Sequence, residues 1–404
     1  MKRKIFLISH LSFLICIAMT MAAMLTLSGC IEEFEADIPS EDSDLLVVEG
    51  TICSGQNTFI LSRTQAIHEG QSALNLPQMV TGAAVSVRGS DGSEYRTQGG
   101  NGNYACQIDR LAPDVEYYLH IETSDGEVYE SELQKPLPTE AIAEISGVEN
   151  APEGSIDMLV TPDVPFESDQ AKYYTWTYDE TWEVYPDYTT NMYYDTTLKK
   201  GIFKMYQFPE RGWIDATGST IMVGTSVSYE GQHIQRLKLY DIGLGDERIF
   251  HRYSSLVRQR AISKAEYEYE LARQQAGTEM GGLFTPLPSA LPTNIRCLTS
   301  DKHVIGFVGC SLNTSEYRIF LDAEDFSVRY PRRTEARLLL DDPSDALCLR
   351  LVKEGYFLCK WDDDRMFGGK LETAWALEYQ LDVRYKGAYI ERPDFWIEKE
   401  NKNE

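Results

Sequence analysis

The chain lacks the short signatures that announce chemistry. It has no Gly-x-Ser-x-Gly nucleophile elbow, no His-Glu-x-x-His pair, no Gly-Lys-Ser or Gly-Lys-Thr phosphate loop and no dinucleotide fingerprint. No Cys-x-x-Cys spacing occurs and the six histidines are scattered, so zinc has no ligand pattern to use. No catalytic residue, metal or cofactor is therefore expected. Basic residues are also scarce, with 38 Lys plus Arg against 63 Asp plus Glu and a formal charge of −25. Such a surface repels nucleic acid and anionic lipid headgroups, and otherwise serves solubility.

What is present begins at the N-terminus. Lys2, Arg3 and Lys4 precede an apolar stretch from about Leu11 to Leu27, and Leu27-Ser28-Gly29-Cys30 closes it. This is the grammar of a secretory signal over residues 1–29 that ends in a lipoprotein-type site. Ser28 and Gly29 fit a narrow peptidase cleft, and the Cys30 thiol is nucleophilic enough to take a diacylglyceryl group as a thioether. An uncleaved membrane helix would suit the length of the apolar run, but not the small residues and acidic stretch that follow it. Cys30 is thus the expected lipidation site and mature N-terminus. Each buried acyl methylene contributes about 0.8 kcal/mol, so two or three chains hold a protein on a membrane where one does not.

Residues 30–44 carry Glu32, Glu33, Glu35, Asp37 and Pro39 and are too polar to pack. They read as a tether. Acidic residues directly after a lipidated cysteine resemble the export signal of Bacteroidota lipoproteins, which implies an outer-membrane protein facing the cell exterior; a solvated spacer on the periplasmic side is the alternative. Losing Cys16 with the leader and acylating Cys30 would leave Cys53, Cys106, Cys297, Cys310, Cys348 and Cys359. Six thiols outside the cytoplasm allow about fifteen disulfide connectivities. Cys348 and Cys359, which flank Gly355, suit neighbouring strands of a hairpin.

Residues 45–137 alternate apolar and polar positions between frequent turn signals. Strands are predicted over 45–52, 58–62, 84–88, 104–108, 117–123 and 128–133, with Asp91-Gly92 and Asp125-Gly126 as tight turns in which glycine supplies a positive φ. Short strands at this density predict an antiparallel sandwich. Leu111-Ala112-Pro113 followed by Tyr117 resembles the tyrosine corner of fibronectin-type domains, which implies an immunoglobulin-like topology. Pro136-Leu137-Pro138 then stiffens a linker.

Residues 140–396 are also mainly β but less regular, and 397–404 form a polar tail. Tyr174, Trp176 and Tyr178 share one strand face by alternation. They are either a sugar-stacking platform or a buried face whose polar tips find partners. One amphipathic helix is predicted over 264–276, with Ser263 and Glu266 as a capping box and Gly277 as its stop. Asp341, Asp342, Asp345 and Asp362-Asp363-Asp364 concentrate carboxylates, but consecutive aspartates point in divergent directions, which reads as a solvated turn rather than a calcium loop. The expected fold is mainly β: an immunoglobulin/fibronectin-like β-sandwich followed by a larger β-rich domain.

Taken in order, Leu46-Val47-Val48-Glu49-Gly50, Leu61-Ser62-Arg63, Gly82-Ala83-Ala84-Val85, Ser255 to Gln259, Tyr267-Glu268-Tyr269, Gly281-Gly282-Leu283-Phe284, Pro286, Pro288-Ser289, Asn294-Ile295, Gly306-Phe307, Arg318-Ile319-Phe320 and Pro393-Asp394-Phe395-Trp396 resemble the Bacteroidota lipoproteins of domain of unknown function 4249. The resemblance covers nearly the whole mature chain. It implies an outer-membrane lipoprotein, often encoded beside a TonB-dependent transporter, with no established activity. In that family a cysteine pair commonly leads into Gly-Gly and then closely into the terminal motif; here Gly368-Gly369 lies far from Pro393. The function expected is a membrane-anchored binding or accessory partner of such a transporter; the alternative is an adhesin or structural surface protein.

Overall fold

The computed structural model describes residues 44–64, 77–164, 171–204, 208–218, 221–278, 291–330 and 338–399. The leader, the Leu27-Ser28-Gly29-Cys30 site, nearly all of the tether and the Gly281–Ser289 stretch lie outside the described residues. Each strand predicted in the first domain is present, and period-two alternation sends one set of side chains into a shared core. Leu46 and Val48, Phe59 and Leu61, Tyr104 and Ile108 come from one sheet; Val85 and Val87, Leu119 and Ile121 face them from the other. Burying each such side chain contributes roughly 1.5–3 kcal/mol.

Both Asp-Gly hairpins form. The Asp91-Gly92 turn joins Ala84–Gly89 to Glu94–Arg96 with Gly92 at φ 86°, and Gly126 at φ 88° joins Tyr117–Glu122 to Val128–Ser131. The tyrosine corner is also formed: the buried Tyr117 hydroxyl accepts a hydrogen bond from the Ala112 N–H at 2.9 Å.

This sandwich draws on residues from far beyond the proline linker. Val304–Gly306 pairs in parallel with Leu46–Glu49, Gly309–Ser311 pairs in parallel with Thr51–Cys53, and Ile295–Cys297 pairs antiparallel with Val128–Ser131. Ile295, Val304, Val308 and Cys310 are buried in the same core. The expected boundary after residue 137 thus divides the chain but not the packing. Leu137 itself is pinned, its N–H donating to the Cys310 carbonyl at 3.2 Å and its carbonyl accepting from the Leu312 N–H at 2.7 Å.

Two further sheets enclose a second core. Ile142–Asn150, Ser155–Pro162 and Leu237–Gly243 form a three-stranded sheet, and Gly212–Thr217, Tyr173–Val184, Arg252–Ala261 and Ser315–Asp322 lie in order in the other, with Met222–Thr225 also on the central strand. Ile156, Met158 and Leu239 share this core with Trp176, Tyr253 and Val257. The predicted helix spans Lys264–Thr278 and packs on Tyr173–Val184 and Met222–Thr225. Ser263 Oγ caps it by accepting from the Glu266 N–H at 3.1 Å, but the other half of the capping box is missing. The buried Glu266 carboxylate instead takes a hydrogen bond from Arg260 at 2.6 Å.

A third core lies among Met192, Tyr194, Cys348, Leu351, Leu358 and Trp375. The hairpin of Met192–Asp195 and Lys200–Phe203, the sheet of Leu338–Asp341, Leu371–Leu377 and Tyr356–Asp363, and a second helix, Asp345–Lys353, surround it. That helix corrects the expectation that Cys348 and Cys359 lie on neighbouring strands of a hairpin. Ser344 Oγ caps the helix at the Leu347 N–H, so Cys348 sits on a helix facing the core with a free thiol, while Cys359 lies on the strand Tyr356–Asp363.

Candidate functional site

The aromatic triplet singled out above is core. Tyr174 and Trp176 are fully buried, Tyr174 donating its hydroxyl to Glu140 at 2.9 Å and the Trp176 indole N–H donating to Gln259 Oε1 at 2.9 Å. Tyr178 stacks on Tyr240 with ring centroids 3.8 Å apart. Tyr174 and Trp176 give their polar tips to protein partners and Tyr178 is half-buried with its face covered by Tyr240, so the sugar-platform reading of this strand is overturned. The acidic clusters are likewise engaged. Asp363 pairs with Arg365 at 2.7 Å, Asp341 with Lys370 at 3.2 Å and Asp345 with Lys199 at 3.0 Å. Among the described residues no group of three His, Cys, Asp or Glu converges on a metal position.

The opposite face of the same sheet is different. Alternation turns Glu183, Arg252, Arg318, Phe320 and Asp322 away from the core, and the C-terminal segment crosses over them as a strap. Trp213 and Tyr389 exchange backbone hydrogen bonds at 2.9 Å, and the Tyr389 hydroxyl donates to Asp215 at 3.0 Å. The Arg318 guanidinium lies 3.6 Å from the Phe395 ring centroid, and the Trp396 ring meets Trp213 and Phe320 edge-on at 6.2 and 5.5 Å. Trp396 is buried, and its indole N–H donates to Glu183.

At one end of this face the strap leaves an open cleft of about 580 Å³. Its floor holds Glu183, Arg211, Arg252 and Asp322. Arg252 gives two hydrogen bonds to Asp322, at 2.6 and 2.8 Å, and Arg211 reaches Glu398 at 3.1 and 2.7 Å and Glu183 at 3.2 Å. The walls carry two aromatic pairs, Tyr185 with His251 at 4.4 Å and Phe250 with Tyr330 at 5.3 Å. Lys386 positions Tyr185 by donating to its carbonyl at 3.0 Å.

Burial raises the Glu183 carboxyl above the usual carboxylate range, against the opposing pull of Arg211 and the Trp396 N–H. The hydrogen bonds from Arg211 lower Glu398. His251 is held below the usual imidazole value by burial of its packed side and by the Lys386 cation, so it is neutral at pH 7. The raised and lowered carboxyls both answer to arginine, which is an arrangement for holding acceptors in place. A smaller hollow of about 290 Å³ on the first sandwich is lined by ion-paired Arg88, Glu94 and Arg96; of its two rings, Tyr104 is buried and His120 is tied to Glu130 at 3.0 Å. The strap cleft is the better candidate, because it alone of the two combines open aromatic faces with fixed polar groups.

None of the cleft residues was singled out in the sequence as a site; of the strap that borders the cleft, Trp396 stands in the terminal motif. Comparison with known families gives a match over residues 31–317 to a family described as Domain of unknown function (DUF4249). The chain belongs to this family. The match contains most of both sandwiches and the returning strands, and it stops before Arg318-Ile319-Phe320 and the strap with its terminal Pro393-Asp394-Phe395-Trp396. No curated protein matches the chain.

Proposed function

We propose that this protein is a lipid-anchored outer-membrane binding protein that serves as an accessory partner of a TonB-dependent transporter and catalyses no reaction. The observation that carries the proposal is the order of features at the N-terminus. A basic, apolar leader closes on Leu27-Ser28-Gly29-Cys30, a polar acidic stretch follows, and the first strand among the described residues is Leu46–Glu49. An acyl anchor confines such a body to the membrane plane and raises its effective concentration beside a membrane partner. The cleft supports binding over hydrolysis, because its carboxylates are each tied to a cation instead of being set as an acid and a base around a substrate.

Mass spectrometry of the native protein tests the anchor: a diacylglyceryl thioether on Cys30 is expected, and an intact leader or unmodified sulfur overturns the reading. Mild crosslinking in expressing cells, followed by purification, tests the partner. Recovery of a TonB-dependent receptor is expected, whereas its absence together with adhesion to host matrix would favour the adhesin role.

A further inference from the structure

We propose that the strap cleft binds an uncharged carbohydrate, with a sugar ring against the Tyr185–His251 pair and its hydroxyls on the Arg252–Asp322 and Arg211–Glu398 ion pairs. The inference rests on the reading of the protein as a binder and names the class of ligand.

Charge comes first. The cleft offers Arg211, Arg252 and Lys399 as cations, against Glu183, Asp322, Glu324 and Glu398. An anionic ligand therefore meets an excess of carboxylate on a chain whose formal charge is already −25. A cationic ligand finds the carboxylates occupied: Glu183 and Glu398 by Arg211, Asp322 by Arg252 and Glu324 by Lys399. Neutral ligands lose nothing on either count.

Hydrogen-bonding capacity comes second. A carboxylate has about four lone-pair sites and a guanidinium five N–H donors, so a bidentate pair leaves both groups partly unused. Donors and acceptors then stand side by side, fixed by each other. A hydroxyl both donates and accepts, and vicinal hydroxyls can bridge such a pair. A polyol matches that pattern better than an amide or an ether.

Apolar surface comes third. Tyr330 is 60% exposed and Tyr185 37% exposed, and both rings border the cleft while the adjoining imidazole is uncharged. The C–H face of a pyranose covers such rings and leaves its equatorial hydroxyls directed at the rim, which suits an amphipathic ring such as tyrosine. The volume lies within the range of about 300–1,000 Å³ typical of small-molecule sites.

The test uses the full-length lipoprotein in detergent on an array of neutral oligosaccharides, with uronic-acid and amino-sugar glycans as comparators. Binding to neutral members is expected. Tyr330→Ala and Tyr185→Ala should each weaken it by at least about tenfold with an unchanged thermal midpoint. Tyr330 is the safer of the two for folding, because most of its side chain is already in solvent. Preference for charged glycans, no glycan binding at all, or full binding by both variants overturns the inference. Crosslinking to a transporter, repeated with the same variants, separates the two readings: a receptor recovered without any sugar binding removes the carbohydrate and leaves the accessory role, and sugar binding without a receptor does the reverse.

Discussion

The indole N–H of Trp396 donates to Glu183 Oε1 at 3.1 Å, joining residues 213 positions apart. This contact locks the C-terminal strap onto the outer face of the second sheet. It also supplies one of the few hydrogen bonds that compensate a carboxyl only 6% exposed.

Replacing Trp396 by alanine removes a buried ring and strips a donor from Glu183. A loss of about 3–5 kcal/mol is expected from the cavity alone, measured by urea unfolding. Loss of the strap should also expose the Trp213 ring, which intrinsic fluorescence would report as a red shift. An unchanged unfolding midpoint would remove the strap from the stability of the fold.

Gly306→Ala tests the returning strands. The backbone there has φ 130°, and an added Cβ would lie 2.1 Å from the Val48 carbonyl oxygen. Backbone strain and overpacking cost roughly 1–3 kcal/mol each. The variant should unfold at clearly lower urea, and hydrogen exchange should rise first along Leu46–Glu49.

Tyr117→Phe keeps the ring and deletes the hydroxyl that accepts from Ala112. The expected cost is about 1–2 kcal/mol for one lost bond and a donor left without its acceptor. A thermal melt of the variant beside the parent chain checks it.

Two carboxyls predict opposite pH behaviour. Burial raises Glu183, so its contribution favours the folded state fully below the ordinary glutamate range and is lost as pH rises through the raised value. Asp382 is lowered, chiefly by the Arg384 guanidinium and then by the Arg384 N–H, so its contribution is present above the ordinary aspartate range and is lost as pH falls through the lowered value. Glu183→Gln should flatten the stability profile on the side above the glutamate range, and Asp382→Asn on the acid side. Urea midpoints across about pH 3 to 8 would show the two slopes disappearing separately.

The first sandwich was legible because its information is local. Alternation marks each strand, Asp-Gly marks two turns, and Leu111 to Tyr117 marks the corner. Ile295–Cys297, Val304–Gly306 and Gly309–Ser311 were not legible, since a strand of three residues shows too little periodicity and its partners lie far away in sequence. The helix bearing Cys348 left a signal that the cysteine spacing obscured: Ser344 followed by Asp345 is a helix start. The cleft could not be found from the sequence, because Glu183, Arg211, Arg252, Asp322 and Glu398 meet only once the sheet and strap are in place. What the sequence did record is the alternation of Tyr174, Trp176 and Tyr178, which feeds the core.

Ser54 Oγ donates to the Leu312 carbonyl at 2.6 Å across 258 positions of chain. A ribosome therefore delivers the earliest strands long before the segments that cover their edges. Until then, the exposed ladder of Leu46–Glu49 is a template for any passing strand, so holding the nascent chain extended until its final third emerges becomes a requirement of the topology itself.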